Sequence, residues 1–167
     1  LCSGDDELCA LVASKGGVAA VVLGMGAHLG NPQVVEQACD ALERLCACDE
    51  ASRALGSCDV GIEAILDGMG TQAGRVYVQQ HACSALATIC ALNASAKSLV
   101  VSKGGLEAII RARALHSSHA GVHVQACRAL ASVCACDAKM GALTISEGGL
   151  AAILRGMEVH VGHADVQ

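Results

Sequence analysis

The sequence repeats itself every 44 residues, and this period constrains the fold more than any other feature of the chain. Several columns of identical residues return at that interval, and no insertion interrupts them. They are Gly17, Gly61, Gly105 and Gly149; Leu11, Leu55, Leu99 and Leu143; Ala20, Ala64, Ala108 and Ala152; and Val34, Val78, Val122 and Val166. A period of this length is typical of repeat proteins, in which one unit cannot bury its apolar face alone and therefore packs on its neighbours.

Each unit divides into three segments that we predict to be helices. A column of Asp or Asn precedes the first segment, and these residues are preferred at helix N-caps. A glycine pair such as Gly104-Gly105 predicts a left-handed turn into a second helix from Leu106 to about Leu115. A polar loop leads to a third helix with apolar residues at helical spacing. The predicted caps are Asp5, Asp49, Asn93 and Asp137, and the apolar positions of the first third helix are Val34, Ala38, Ala41, Leu42 and Leu45.

The composition agrees with an all-α protein. The chain is 53% hydrophobic but contains one aromatic residue, Tyr77, and one proline. A disordered chain would be richer in proline and in charged residues, and a collagen-like chain would have a strict glycine period. A β-sandwich normally uses aromatic residues in its strands. The core must therefore consist of Leu, Ile, Val, Ala, Met and Cys, whose small side chains favour close packing of helices.

The charge pattern argues against nucleic acid and against a direct membrane span. The chain has 11 basic and 16 acidic residues, which gives a net charge of −5, and the basic residues form no stripe. One tyrosine cannot provide the aromatic platforms on which bases stack. Residues 16–35 and 76–96 carry no charge, but Gly, Asn, Pro, Gln and His interrupt them, so neither is a continuous apolar segment.

The residues Gly-Gly-Leu-Glu-Ala-Ile-Ile at 104–110, followed by Val-Gln-Ala-Cys-Arg-Ala-Leu at 124–130, resemble the armadillo repeat. That family stacks three-helix repeats into a right-handed superhelical solenoid whose third helices line a concave groove. The resemblance covers the whole chain. It implies the end of one repeat at residues 1–4, repeats at 5–48, 49–92 and 93–136, and an incomplete repeat at 137–167. HEAT repeats, with a similar period but two helices, are the alternative; three apolar segments per unit favour armadillo.

The resemblance implies a non-enzymatic scaffold or adaptor that binds a partner protein in this groove. In the nuclear import receptor importin alpha, the third helices carry a Trp and, four residues later, an Asn. Neither is kept here, so we do not predict recognition of nuclear localisation signals. The predicted groove is polar and of mixed charge, and it comprises Gln37, Asp40, Arg44, His81, Ser84, Thr88, Gln125, Arg128 and Ser132. The alternative is a structural subunit that is buried in a larger multiprotein assembly.

Eleven cysteines follow the period and predict small core residues in a reducing, intracellular compartment, the cytoplasm first, with an organelle left open. They include the columns Cys39, Cys83 and Cys127, and Cys2, Cys46, Cys90 and Cys134. Metal binding at Cys46-x-Cys48, at Cys134-x-Cys136 or at His116, His119 and His123 is a remote alternative. These histidines, with His28, His160 and His163, are expected to cap carbonyls where second helices end. We therefore predict no metal site and no cofactor.

No catalytic constellation is predicted. The chain lacks a phosphate-binding loop of the G-x4-G-K-[ST] type, and its Cys, His and Asp residues are distributed by the repeat. The chain starts at Leu1, which aligns with Leu45, and stops at Gln167, where another third helix would begin. Because neither end resembles a polar capping repeat, we expect either flanking sequence or partners that cover both ends.

Overall fold

The computed structural model describes residues 3–46 and 59–135, which form eight α-helices and no strand. The all-α prediction is therefore confirmed for these residues. The predicted caps Asp49 and Asp137 and the incomplete repeat at 137–167 lie outside them. The helices are α1 (Ser3–Ser14), α2 (Gly17–Ala27), α3 (Pro32–Cys46), α4 (Asp59–Thr71), α5 (Val76–Leu92), α6 (Ala94–Ser102), α7 (Gly105–Leu115) and α8 (Ala120–Cys134).

The helix boundaries follow the period of the sequence. Helices α3, α5 and α8 begin at Pro32, Val76 and Ala120, so that each start lies 44 residues after the last. Helices α2 and α7 begin at Gly17 and Gly105, two periods apart. The second helix predicted from Leu106 to Leu115 is α7, which begins one residue earlier than expected.

One predicted N-cap is confirmed and one is wrong. The side-chain oxygen of Asn93 accepts hydrogen bonds from the backbone N–H groups of Ser95 and Ala96, at 3.0 and 3.4 Å, and so starts α6. Asp5 instead lies inside α1, which begins at Ser3, another residue type that favours helix N-termini. A column of capping residues therefore marks the region of a helix start but not its first residue.

The glycine pairs connect helices in two ways. Gly16 and Gly104 have φ angles of 81° and 78°, the left-handed conformation that glycine adopts without a steric penalty. The following residues, Gly17 and Gly105, have no room for a side chain, because a Cβ would lie 2.7 Å from the carbonyl oxygen of Val12 or Val100. The first glycine makes the turn, and the second lets the next helix start against the one before.

The core lies between two rows of helices. In one row α5 packs between α3 and α8; in the other α4 contacts both α2 and α7, while α6 packs on α5, α7 and α8. Helix α5 is at the centre, and its Ala82, Ala85, Leu86 and Ile89 have no exposed surface. The alternation of small and larger apolar residues lets the neighbouring helices approach closely, as the aromatic-poor composition predicted.

The turns between the two rows are joined by hydrogen bonds that nearly span one period. Gln72 donates from Nε2 to the carbonyl oxygen of Leu29 at 2.7 Å, and His116 Nε2 lies 2.7 Å from the carbonyl oxygen of Ala73. His116 does stand at the C-cap of α7, as expected, but its ring reaches the preceding turn rather than the end of its own helix. His119 was expected at the end of α7 and is instead the N-cap of α8.

Within the described ranges, no single helix is long and apolar enough to cross a membrane. Two helical segments, Glu7–Ser14 and Gly17–Ala27, reach the necessary length and hydropathy only when taken together across a 68° bend.

Candidate protein-binding groove

The nine predicted groove residues lie on three helices that pack side by side, α3, α5 and α8. Their exposure differs. Gln37, Arg44 and Arg128 are exposed, whereas Ser84 is buried beneath its neighbours. Asp40, His81, Thr88, Gln125 and Ser132 are half-buried. The face is therefore polar along all three helices and most open at its two outer ones.

The outer helices carry short-range polar pairs. On α3, Arg44 Nε lies 3.1 Å from the carboxylate of Asp40, and on α8 Arg128 donates to the side-chain oxygen of Gln125 at 2.8 Å. Such exposed pairs on one helix contribute little to stability, commonly below about 1 kcal/mol. Their groups can therefore exchange an internal contact for one with a partner at small cost.

At the α3–α5 contact the structure gathers four polar side chains, Asp40, Glu43, His81 and Ser84, which we call the α3–α5 cluster. The carboxylate of Glu43 bridges the helices, since its Oε2 lies 2.6 Å from His81 Nδ1 and its Oε1 accepts from the Ser84 hydroxyl at 2.8 Å. Asp40 Oδ1 lies 3.8 Å from the same His81 nitrogen. The hydroxyl of Ser84 thus donates to a partner inside the protein, which explains how a polar residue is buried here.

Glu43 is the residue of this cluster that the sequence analysis missed. It stands next to the predicted Arg44, and its equivalents one and two periods later are Ala87 and Ala131. A charged residue in a column otherwise occupied by alanine was the available signal. Of the predicted residues, only Asp40, His81 and Ser84 join the cluster, and on α8 Gln125 and Arg128 pair with each other.

Three of the seven described cysteines have thiols of reduced reactivity. All seven have unoxidised thiols, and those of Cys39, Cys46, Cys83 and Cys90 are completely buried, as predicted for small core residues. Burial disfavours the charged thiolate and raises the pKa of Cys39, Cys83 and Cys90 to about 12. Because the thiolate is the reactive form and the metal-binding form, these residues are poor nucleophiles and poor ligands in the folded protein. Cys48 and Cys136, needed for the C-x-C alternative, lie outside the described residues.

The three histidines of α7, α8 and the turn between them do not converge. His116 Nε2 lies against the carbonyl oxygen of Ala73, and His119 Nδ1 accepts from the backbone N–H of Val122 at 3.4 Å. His123 Nε2 lies 3.0 Å from the carbonyl oxygen of Ser117. Each ring therefore supports a different part of the backbone, and the triple-histidine metal alternative has no support in their geometry.

A second surface, on α3 and α2, is apolar and remains open in the part of the chain that the structure describes. It forms a shallow cleft of about 500 Å³, which we call the open α3 face. Val34 and Ala41 are half-buried there, although the equivalent Val78, Ala85, Val122 and Ala129 are completely buried. The reason is the position of α3 in the row. Helices α5 and α8 each pack on the third helix before them, whereas no third helix in the described residues precedes α3. The cleft is lined by Val21, Gly24, Met25, Gln33, Val34, Gln37, Ala38 and Ala41.

No family model matches this chain, and neither a curated protein nor a solved structure is similar to it at a significant level.

Proposed function

We propose that this chain is a non-enzymatic scaffold or adaptor of the armadillo type, a solenoid of three-helix repeats that binds a partner protein along α3, α5 and α8. Two kinds of evidence support the proposal. The 44-residue period of the sequence coincides with the starts of these three helices, and the helices pack in chain order. Their shared face carries hydrogen-bonding and charged side chains rather than a continuous apolar surface.

The polar face is the observation that carries the proposal. Gln37, Arg44 and Arg128 project from helices that belong to one packed row, so their positions are held. The exposed pairs Arg44–Asp40 and Arg128–Gln125 can be exchanged for contacts with a partner at small cost. Without aromatic anchors, the contact must use hydrogen bonds and ion pairs. An extended segment or a helix of mixed charge from another protein fits such a face, because each rim contact adds specificity more than affinity.

The test exchanges the charges of the face without changing the net charge. The variant combines Asp40→Arg with Arg128→Glu, and its control combines Glu63→Lys with Lys103→Glu. Glu63 and Lys103 form an ion pair away from the three helices, and both are partly exposed. In a pull-down with quantitative mass spectrometry at low salt, we expect the groove variant to lose at least roughly tenfold of a specific partner, and the control to keep it.

The partner should also dissociate as salt is raised, because exposed ion pairs are screened. Equal recovery of every partner by the wild type and the groove variant would show that the contact lies elsewhere. Circular dichroism of both variants verifies that the helices are retained.

The open α3 face favours a second candidate function, a structural subunit of a larger assembly. The occupant that fits this cleft is a partner helix with small apolar side chains, because α5 and α8 receive such a neighbour on the equivalent residues. Burying an apolar face of this kind would give a contact that survives high salt.

The variant Ala41→Glu tests this candidate by placing a charge in the cleft. Ala41 is half-buried and the cleft is open, so the carboxylate can reach water in the isolated chain. The control is Ala114→Glu on the exposed side of α7. We expect Ala41→Glu, but not Ala114→Glu, to remove a stoichiometric partner that resists about 1 M salt. Retention of that partner by Ala41→Glu would exclude this face as the interface.

A further inference from the structure

The α3–α5 cluster contains one imidazole nitrogen and two carboxylates that point at the same place. We propose that Asp40, Glu43 and His81 bind a divalent transition-metal ion, with Zn²⁺ as the ion to be tested. The ligand atoms of the three residues lie within 4.8 Å of one another, and they come from two different helices. Imidazole nitrogen and carboxylate oxygen are both ordinary ligands of Zn²⁺.

The distances need only a small adjustment. Zn²⁺ holds such ligands at about 2.0–2.2 Å, so two ligands of a tetrahedral ion lie about 3.4 Å apart. His81 Nδ1 now lies 2.6 Å from Glu43 Oε2 and 3.8 Å from Asp40 Oδ1. The first distance must therefore lengthen and the second shorten by less than about 1 Å. The ligand oxygens of Asp40 and Glu43, which lie within 4.8 Å of each other, must approach by at most about 1.4 Å. To bind the ion, Nδ1 of His81 must carry no hydrogen. In a neutral ring that hydrogen moves to Nε2, and in a protonated ring it is released to solvent.

A neighbouring donor already orients one of the two carboxylates. Ser84 donates to Glu43 Oε1 and leaves Oε2 directed at His81. A hydrogen bond of this kind, from a residue that does not touch the ion, fixes the direction of a metal ligand and increases affinity. Asp40 is held differently: Arg44 Nε lies 3.1 Å from its carboxylate, and because the Arg44 side chain is 75% exposed, it can give up this contact when an ion binds.

The charge and the exposure of the cluster suit an ion that enters from solvent. Two carboxylates balance the charge of a divalent cation. The side chains of His81, Asp40 and Glu43 are 22%, 26% and 32% exposed, so the site is accessible but partly shielded from water. Partial shielding strengthens the attraction between the ion and the carboxylates. Three protein ligands leave a fourth position for water, as in zinc sites that exchange ligands.

The repeat supplies an independent reason to separate this cluster from the packing of the helices. At one and two periods from Glu43 the chain has Ala87 and Ala131, and one period before and after His81 it has Gln37 and Gln125. The contact between α5 and α8 therefore forms without either ligand type. Stacking of neighbouring helices therefore does not require a glutamate and a histidine at these positions, and the two occur together only at the contact between α3 and α5.

Cysteine is the competing ligand in this chain, and the structure disfavours it at this position. Cys39 precedes Asp40 in α3 but is completely buried, and its Sγ lies 4.0 Å from the Sδ atom of Met25 in α2. Among the described residues, no thiol gathers with the ligand atoms of Asp40, Glu43 and His81. The ligand set is therefore one nitrogen and two oxygens.

Zinc titration by calorimetry of the full, reduced chain tests the site with variants that the repeat itself suggests. His81→Gln installs the residue of the same column in α3 and α8, and Glu43→Ala that of α5 and α8. The control, His28→Gln, changes an exposed histidine whose column has Gln72 one period later. We expect wild type and His28→Gln to bind one more Zn²⁺ than His81→Gln, with Glu43→Ala weaker at this site by at least about 100-fold.

The spectrum of bound Co²⁺ identifies the ligands. Nitrogen and oxygen ligation gives weak visible bands, whereas thiolate ligation adds a strong near-ultraviolet charge-transfer band. A band of the first kind that disappears in His81→Gln supports the site. Equal zinc stoichiometry and affinity in wild type and His81→Gln, or only thiolate-type cobalt binding, would overturn it. Because this experiment needs no partner protein, its result is independent of the proposed groove.

Discussion

Between pH 8 and pH 10 the free energy of unfolding should fall by about 4 kcal/mol because of three buried thiols alone. Cys39, Cys83 and Cys90 have pKa values raised from 9.0 to about 12 in the folded chain. Below pH 9 both states hold the protons, and the thiols do not affect stability. Above pH 9 the unfolded chain releases them while the folded chain does not, so stability falls until about pH 12. At pH 10 each thiol accounts for about 1.4 kcal/mol.

The cause is burial within the row of third helices. Cys83 lies on the central helix α5, and its ionisation is opposed first by desolvation and then by Cys39 on α3 and Cys127 on α8. The same column that packs the repeat therefore makes the protein sensitive to alkali. A loss of this size is a large part of the stability of an ordinary domain.

Urea unfolding at pH 8, 9 and 10 in the presence of a phosphine reductant measures the effect, and Cys83→Ala isolates it. The variant will be less stable at every pH, but its stability should fall between pH 8 and 10 by about 1.4 kcal/mol less than that of the wild type. Lys103, whose pKa is raised by its hydrogen bond and charge interaction with Glu63, titrates in both proteins and cancels in the comparison. Parallel pH profiles would show that Cys83 is not shielded from water in the native state.

The positions of the helices could be predicted because they depend on local signals that every unit repeats. The glycine pair of Gly104 and Gly105, the cap at Asn93 and the apolar spacing of α3, α5 and α8 each act within a few residues. Where a signal was ambiguous, the prediction failed by a small amount, as at Asp5, because several residue types can start a helix.

The candidate sites were harder to predict because they arise between neighbouring helices. Glu43 and His81 are 38 residues apart, and no spacing along one helix brings them together. His116 likewise reaches Ala73 across nearly one period, a contact that capping within a single helix does not predict. The period reports what the units share, whereas the α3–α5 cluster consists of residues in which they differ.

Replacing Gly105 with alanine should destabilise the protein by about 3 kcal/mol, the upper range for an added methyl group in a packed region. The new Cβ would lie 2.7 Å from the carbonyl oxygen of Val100 and would also contact the Val100 side chain. Val100 is completely buried in α6, so neither group can move without shifting α6 against α7. A smaller loss is expected for Gly17→Ala two periods earlier, where the oxygen belongs to Val12 at 2.7 Å, because Val12 is 37% exposed and can move more easily.

Gly24→Ala is the matched control, because Gly24 lies inside α2 and a Cβ there would meet no atom within 4 Å. Alanine in a helix restricts the unfolded chain more than glycine does, so this variant should gain about 0.5–1 kcal/mol. Urea denaturation of the three variants at neutral pH therefore separates the clash of an added Cβ in the folded state from the restriction of the unfolded chain, the two effects of replacing glycine with alanine. If Gly105→Ala and Gly17→Ala were as stable as the wild type, the close start of α2 and α7 against the preceding helices would not be a requirement of the fold. If both lose stability together, the repeated Gly-Gly column is explained by contact between successive helices as well as by the left-handed turn.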